Sequence, residues 1–271
     1  MKIIFAGTAA FAVPSLRALH GAGHEIRLVI TQPDRPGHRM RVTPPPVKVA
    51  ALELGLDLFQ PERIREAEVV EKLRRLEPDL LVVVAYGQII GASVLAIPRL
   101  GAVNVHASLL PRHRGAAPVA HAILAGDRET GVTIMRMDEK LDHGPILSTR
   151  GTTIGPREDA VELTARLAEM GAELLVKTIA GIETITPREQ DHERATLAPR
   201  LTRKDGELEW SLAPEDIDRR VRAFQPWPGV TLPDEAGQRV KVLSGRVEGG
   251  RYVSERVQSP GRRAREVRGD A

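Results

Sequence analysis

The sequence predicts an α/β protein: a Rossmann-like, mostly parallel sheet with helices on both faces, followed by a second, smaller unit. Three observations carry this. Apolar stretches of strand length recur between helical patterns, at Lys2-Ile3-Ile4-Phe5-Ala6, Glu25 to Ile30 and Asp79 to Ala85. The last is nearly continuous in Leu and Val, as in strands buried on both faces. At Thr184 the composition turns polar and weakly patterned, which marks a boundary.

The elements follow in order. The first strand ends at Gly7-Thr8, and a helix is expected from Phe11 to Gly21, with Pro14 tolerated in its first turn. Glu25 to Ile30 is the second strand. A helix near Val47–Gly55, a short strand at Leu56–Phe59 and a helix at Ile64–Leu76 continue the βαβ rhythm. The apolar strand from Asp79 ends at Tyr86-Gly87, and the next strand is Gly101–His106. A helix from Ala116 to Ala125 precedes strands at Val132–Met137 and Ile146–Ile154, with the turn Leu141-Asp142-His143-Gly144 between them. A long helix, Glu158 to Gly181, carries Val161, Leu163, Leu167, Met170, Leu174 and Leu175 at helical spacing. Residues 184–200 read as a linker between a domain of residues 1–183 and a small domain of residues 201–271. The small domain shows a helix at Pro214–Phe224 and strand-like pieces at Val230–Leu232 and Val240–Leu243. Its end is basic, with Arg256, Arg262, Arg263, Arg265 and Arg268.

Composition removes several function classes. The chain has 271 residues, 42% hydrophobic, enough for one large domain or two unequal ones. No run of 18 apolar residues is present, so no membrane-spanning segment is expected. The apolar run after Met1-Lys2 is too short for a signal peptide, and a cytoplasmic location is expected. Without cysteine there is no disulfide and no thiolate metal site. The first turn, Gly7-Thr8-Ala9-Ala10-Phe11, is not GxGxxG, and the second strand ends in Thr31-Gln32 with no acidic residue. The dinucleotide fingerprint is therefore absent. Net charge is +3 with a pI of about 9.4, while aromatics are only 3%. A nucleic-acid partner would be met by Arg and Lys at phosphates rather than by base stacking. The connection from Gln32 to Pro46 is long and carries Arg35, Arg39 and Arg41 against Asp34. It is either a solvated surface loop or a phosphate-contacting one.

The chemistry concentrates in Gly101 to Gly115, GAVNVHASLLPRHRG. Val103 and Val105 alternate with Asn104 and His106, so a period of two puts the valines on one face and the polar pair on the other. The pair would sit roughly 7 Å apart along the strand. Asn104 is the only asparagine in the chain. Its amide is either reserved for a reacting group or satisfies loop backbone groups. Asp142, in a turn between two strands, is able to reach the same sheet edge. Ser108 lacks the GxSxG setting of a nucleophile, and one His with one Asp does not make a metal site. An Asn–His–Asp set without a nucleophile suits direct transfer to an amine. The amide and imidazole stabilise the oxyanion, and the carboxylate orients the imidazole and helps remove the amine proton. An α-amino group with a pKa of about 7.7–8.0 needs positioning more than a strong base.

Asn104-Val105-His106-Ala107-Ser108-Leu109-Leu110-Pro111, followed by Arg114-Gly115-Ala116-Ala117-Pro118, closely resembles the signature of the 10-formyltetrahydrofolate-dependent formyltransferases. Phe5-Ala6-Gly7-Thr8, Gln32-Pro33-Asp34-Arg35-Pro36, Val82 to Gly87, Gly131 to Met135, Leu141-Asp142 and Arg222-Ala223-Phe224 match in the same order. The resemblance implies formyl transfer from 10-formyltetrahydrofolate to the amino group of methionyl initiator tRNA, by a monomer without a metal. A folate-dependent transferase acting on a small amine, a ribotide or an amino sugar, is the alternative. By the same resemblance Asn104, His106 and Asp142 are catalytic, and Ser108, Leu109, Leu110 and Pro111 contact the folate. Arg39 and Arg41 would meet tRNA from the long loop, and Arg262 and Arg263 from an OB-like, shortened carboxyl-terminal domain. Where the family has a small residue this chain has His143, whose side chain is expected to point to solvent.

Overall fold

The computed structural model describes residues 1–36 and 42–267. Seven strands form one sheet: β1 (Lys2–Gly7), β2 (Glu25–Ile30), β3 (Leu58–Phe59), β4 (Leu80–Val84), β5 (Ala102–His106), β6 (Glu129–Arg136) and β7 (Ile146–Thr153). Their order is β7-β6-β5-β4-β1-β2-β3. The pairs β3–β2, β2–β1, β1–β4 and β4–β5 are parallel, and β6 runs antiparallel to β5. The parallel part thus has the doubly wound order 3-2-1-4-5. Its direction of winding reverses between β1 and β4, and such sheets bind ligands at the carboxyl ends of their strands. All five residues of β4 are buried, as expected of a strand covered on both faces.

The helices are α1 (Val13–Gly21), α2 (Pro46–Glu53), α3 (Ala67–Arg75), α4 (Ala92–Leu95), α5 (Pro118–Leu124), α6 (Ala160–Ala180) and α7 (Pro214–Ala223). The helix expected from Phe11 starts as a 3₁₀ turn, Ala10–Ala12. The ring of Pro14 would clash with the carbonyl four residues earlier in a continuous α-helix. At the start of α6, Asp159 Oδ1 accepts from the backbone N–H groups of Val161 and Glu162 at 2.8 and 2.9 Å. Glu162 Oε2 accepts in return from the Asp159 N–H at 3.2 Å. This reciprocal cap satisfies donors that a helix start leaves open.

The chain divides into two compact units. One comprises Met1–Arg114, Gly131–Gly151 and Ala165–Thr196; the other comprises Gly115–Thr130, Thr152–Thr164 and Leu197–Ala271. In the first, Ile4, Ala6, Leu28, Ile30, Leu81, Val83 and Tyr86 belong to one buried cluster. Gly171 lets α6 lie close on the sheet, since a Cβ there would stand 3.0 Å from Val105 Cγ1.

In the second unit, β8 (Val230–Pro233), β9 (Arg239–Glu248), β10 (Arg251–Gln258) and β11 (Arg265–Glu266) form an antiparallel sheet in chain order. Helices α5 and α7 pack together in the same unit. Two expectations need correction. The strand expected at Val240–Leu243 extends over ten residues, and Arg251–Gln258, expected only as part of a basic end, is a full strand. Gly249 and Gly250, at φ of +57° and +73°, make the two-residue turn that joins them. Among the described residues no helix is long and apolar enough to cross a membrane.

Candidate active site

Strand β5 presents the polar pair. Val103 and Val105 are buried, and Val105 faces α6. Asn104 is flanked by Val83 of β4 and Met135 of β6, and His106 lies opposite Thr133. His106 is 5% exposed. Its Nε2 stands 2.9 Å from the carbonyl oxygen of His113. A carbonyl only accepts, so Nε2 carries the proton. That leaves Nδ1 as the nitrogen facing Asp142, 3.6 Å from Oδ2. The other oxygen, Oδ1, lies 3.5 Å from Asn104 Nδ2. One carboxylate therefore spans both members of the strand pair, although Asp142 is 36 and 38 residues away in the chain.

The segment after β5 is held tightly. Ser108 is fully buried, and its hydroxyl donates to the Arg112 carbonyl at 2.6 Å. The hydroxyl is thus committed to the backbone rather than free to attack. Thr133 Oγ1 donates to the Ser108 carbonyl at 2.7 Å and accepts from the Leu110 N–H at 3.2 Å. Leu110 packs with Met135 and Ile146. Leu109 and Pro111 are half-buried beside it.

Asp142 has φ of +46°, the left-handed region that costs an ordinary residue about 1–2 kcal/mol. Its carbonyl accepts from Gln190 Nε2 at 3.0 Å, and the same nitrogen reaches the Gly144 carbonyl at 2.7 Å. Gln190 Oε1 accepts from Arg114 Nε and Nη2 at 3.1 and 2.6 Å. Sequence reasoning missed Gln190, which falls within the stretch read as a linker. An isolated polar residue in a polar stretch gives no periodic signal. Arg114 was visible only as a letter of the motif.

His143 departs from expectation. Its Nδ1 lies 2.7 Å from Asp138 Oδ2, and its ring stacks on His192 at 4.0 Å and 9°. A ring N–H five residues from a carboxylate, with a flat apolar face to cover, is better satisfied there than in solvent.

Of the arginines expected to meet tRNA, Arg39 and Arg41 lie outside the described residues. The base of their loop is described. Arg35–Pro36 pairs antiparallel with Val42–Thr43. Lys48 Nζ bonds Asp34 Oδ2 at 2.6 Å, and Gln60 Nε2 bonds Asp34 Oδ1 at 2.8 Å. The hydrogen bond from Gln60, then that from Lys48, holds the Asp34 carboxyl below its ordinary pKa. Arg262 and Arg263 are exposed in the second unit, just after β10. Among the described residues no group of three or more His, Cys, Asp or Glu is arranged to hold a metal ion.

Two family models match: formyl transferase over residues 1–179, and formyl transferase, C-terminal domain, over residues 200–270. The chain is 53% identical over 232 residues to the methionyl-tRNA formyltransferase of Solibacter usitatus, covering 84% of this chain and 75% of that one. It is 52% identical over 254 residues to that of Halorhodospira halophila, covering 92% and 81%. Among solved structures, an N-formyltransferase from Helicobacter canadensis, in complex with folinic acid and dTDP-3-aminofucose, superposes with a TM-score of 0.71. It is 16% identical, with 95% of this chain and 94% of that one covered, and shares the fold.

Proposed function

The chain belongs to the formyl transferase family, and from that premise we propose that it transfers a formyl group from 10-formyltetrahydrofolate to the amino group of methionyl initiator tRNA. The observation that carries the reading is the Asp142 carboxylate lying within 3.6 Å of both His106 Nδ1 and Asn104 Nδ2. Relatives that are half identical over most of the chain favour the tRNA substrate over a small amine.

The roles follow from the geometry. The neutral amine attacks the formyl carbon, and a C–N bond forms as the carbonyl oxygen takes up negative charge. Asn104 Nδ2–H stabilises that oxygen, and so does His106 acting in its doubly protonated form, with Nε2–H on the His113 carbonyl and Nδ1–H inward, each donor being worth about 10²–10³ in rate. Asp142 accepts the proton that the attacking nitrogen must lose. Breakage of the bond to the folate nitrogen returns a proton to that nitrogen, so no charge accumulates. The His113 carbonyl fixes the imidazole with Nδ1 inward. The backbone of Ser108 to Pro111 forms the folate-contacting segment. In this reading residues 1–183 carry the chemistry, residues 184–200 connect, and residues 201–271 hold tRNA, with Arg39, Arg41, Arg262 and Arg263 at phosphates. The enzyme works as a monomer in the cytoplasm, where charged initiator tRNA is made.

The deciding experiment is a formyl-transfer assay with 10-formyltetrahydrofolate, supplied either with methionyl initiator tRNA or with an amino sugar nucleotide. Transfer to the tRNA alone is expected. Transfer to the sugar alone would overturn the reading.

A further inference from the structure

The turn that carries Asp142 is held partly by its own residues, through Asp138 with Lys140 and His143, and partly from elsewhere in the chain. Asp142 sits at φ of +46°, and Gly144 passes so close to β6 that a Cβ would stand 2.1 Å from the Arg136 carbonyl oxygen. Two residues from elsewhere in the chain hold this turn in place, Gln190 directly and Arg114 through it. Arg114 and Gln190 are 8% and 5% exposed. The guanidinium only donates, so the Gln190 oxygen must face Arg114 Nε and Nη2. That fixes the amide the other way round: its NH₂ group points at the carbonyls of Asp142 and Gly144. Arg114 Nη2 also lies 2.8 Å from His192 Nδ1, which acts as acceptor. The chain of contacts runs from a buried guanidinium, through one amide, onto the backbone of the residue whose side chain faces His106 and Asn104.

We propose that Arg114 and Gln190 are positioning residues for the Asp142 carboxylate, acting as a clamp on the 142–144 turn. The proposal rests on the reading of Asp142 given above. A small rotation of a left-handed residue swings its side chain by ångströms, and displacements of about 1 Å at a reacting group cost on the order of 10²-fold in rate. Neither residue touches the reacting atoms. Their loss should lower kcat and leave substrate affinity in place.

The test is Gln190→Glu, which has the same shape. It keeps an acceptor for Arg114 but removes the NH₂ donor and sets an oxygen against two carbonyl oxygens. A fall in kcat of about tenfold or more is expected, with KM for both substrates within about threefold. In an Asp142→Ala background the same substitution should change kcat by less than about twofold, because a residue that acts through Asp142 has nothing left to act on. An equal loss in both backgrounds would show a general structural role and overturn the proposal, as would an unchanged kcat in the single variant. If Gln190→Glu does not fold, Arg114→Lys enters the same cycle, since it keeps the charge and loses the two-point contact. Amide hydrogen exchange across residues 141–144 tests the clamp without reference to activity. Exchange about tenfold faster in the variant supports it, and unchanged exchange defeats it. Should Asp142→Ala transfer formyl at the wild-type rate, the reading of the active site fails, and the exchange measurement still decides the clamp.

Discussion

Carboxylates are used in opposite ways in the two units. At the sheet edge, the side chains of His106 and Asp142 are 5% and 11% exposed; the imidazole bonds the His113 carbonyl, and the carboxylate faces the imidazole and the Asn104 amide. In the second unit, Arg157 pairs with Glu255, and Arg246 with both Glu255 and Glu248, at 2.6–2.9 Å, while the arginines stay about half to two-thirds exposed. A buried polar group that loses its partner costs about 1–3 kcal/mol. An exposed pair contributes at most about 1 kcal/mol and is screened by salt. Orientation is bought by burial, whereas capture of a polyanion needs only a field. The chemical step should therefore depend on individual residues and ignore salt, and tRNA capture should do the reverse.

The strongest challenge to that contrast is Asn104→Ala. Removal of one donor from the developing oxyanion is expected to lower the single-turnover rate by about 10²–10³. A loss well under tenfold would make the amide scaffolding. Salt comes next. Between about 50 and 200 mM salt, tRNA affinity should fall by tenfold or more while the single-turnover rate at saturating tRNA stays constant. A flat affinity over that range would break the comparison from the other side. Arg262→Ala combined with Arg263→Ala is a smaller step. It should weaken tRNA binding by a few-fold, reduce the salt slope by about 1 per lost phosphate contact, and leave the chemical step alone.

Legibility in the sequence follows the range of the interactions. Alternation within β5 was enough to place Asn104 and His106 on one face, because side-chain direction in a strand is a local property. The apolar run of β4 likewise declared a two-sided strand. Gln190 lies 48 residues from Asp142 and 76 from Arg114, so no local pattern announces the clamp. Strand β10 was hidden for another reason. Its ladder with β9 pairs Ser244 with Arg256 and Gly245 with Ser254, and the extra Glu255 breaks the period of two within the strand. Only Tyr252 and Val257 of β10 are buried, with charged residues between them. His143 was misjudged because the carboxylate it finds and the ring it covers, Asp138 and His192, are joined only by the folded turn.

The smallest effect is the pH response of the exposed ion pairs. Glu255 accepts from Arg246 Nη1 at 2.6 Å and from Arg157 Nη2 at 2.9 Å. The hydrogen bond from Arg246, followed by the charge and hydrogen bond of Arg157, holds its pKa below the ordinary carboxylate value. A depressed folded-state pKa means that this stability is fully present above the unfolded value of about 4.3, and is lost as pH falls through the lower folded value. Glu255→Gln should therefore lower the melting temperature slightly at pH 7, by no more than about 1 kcal/mol of stability. The difference from wild type should shrink steadily below about pH 4.3. The single-turnover rate at pH 7 should be unchanged. If it fell with Glu255→Gln, a pair on the C-terminal sheet would be acting on the chemistry, and the separation between orientation and capture would not hold.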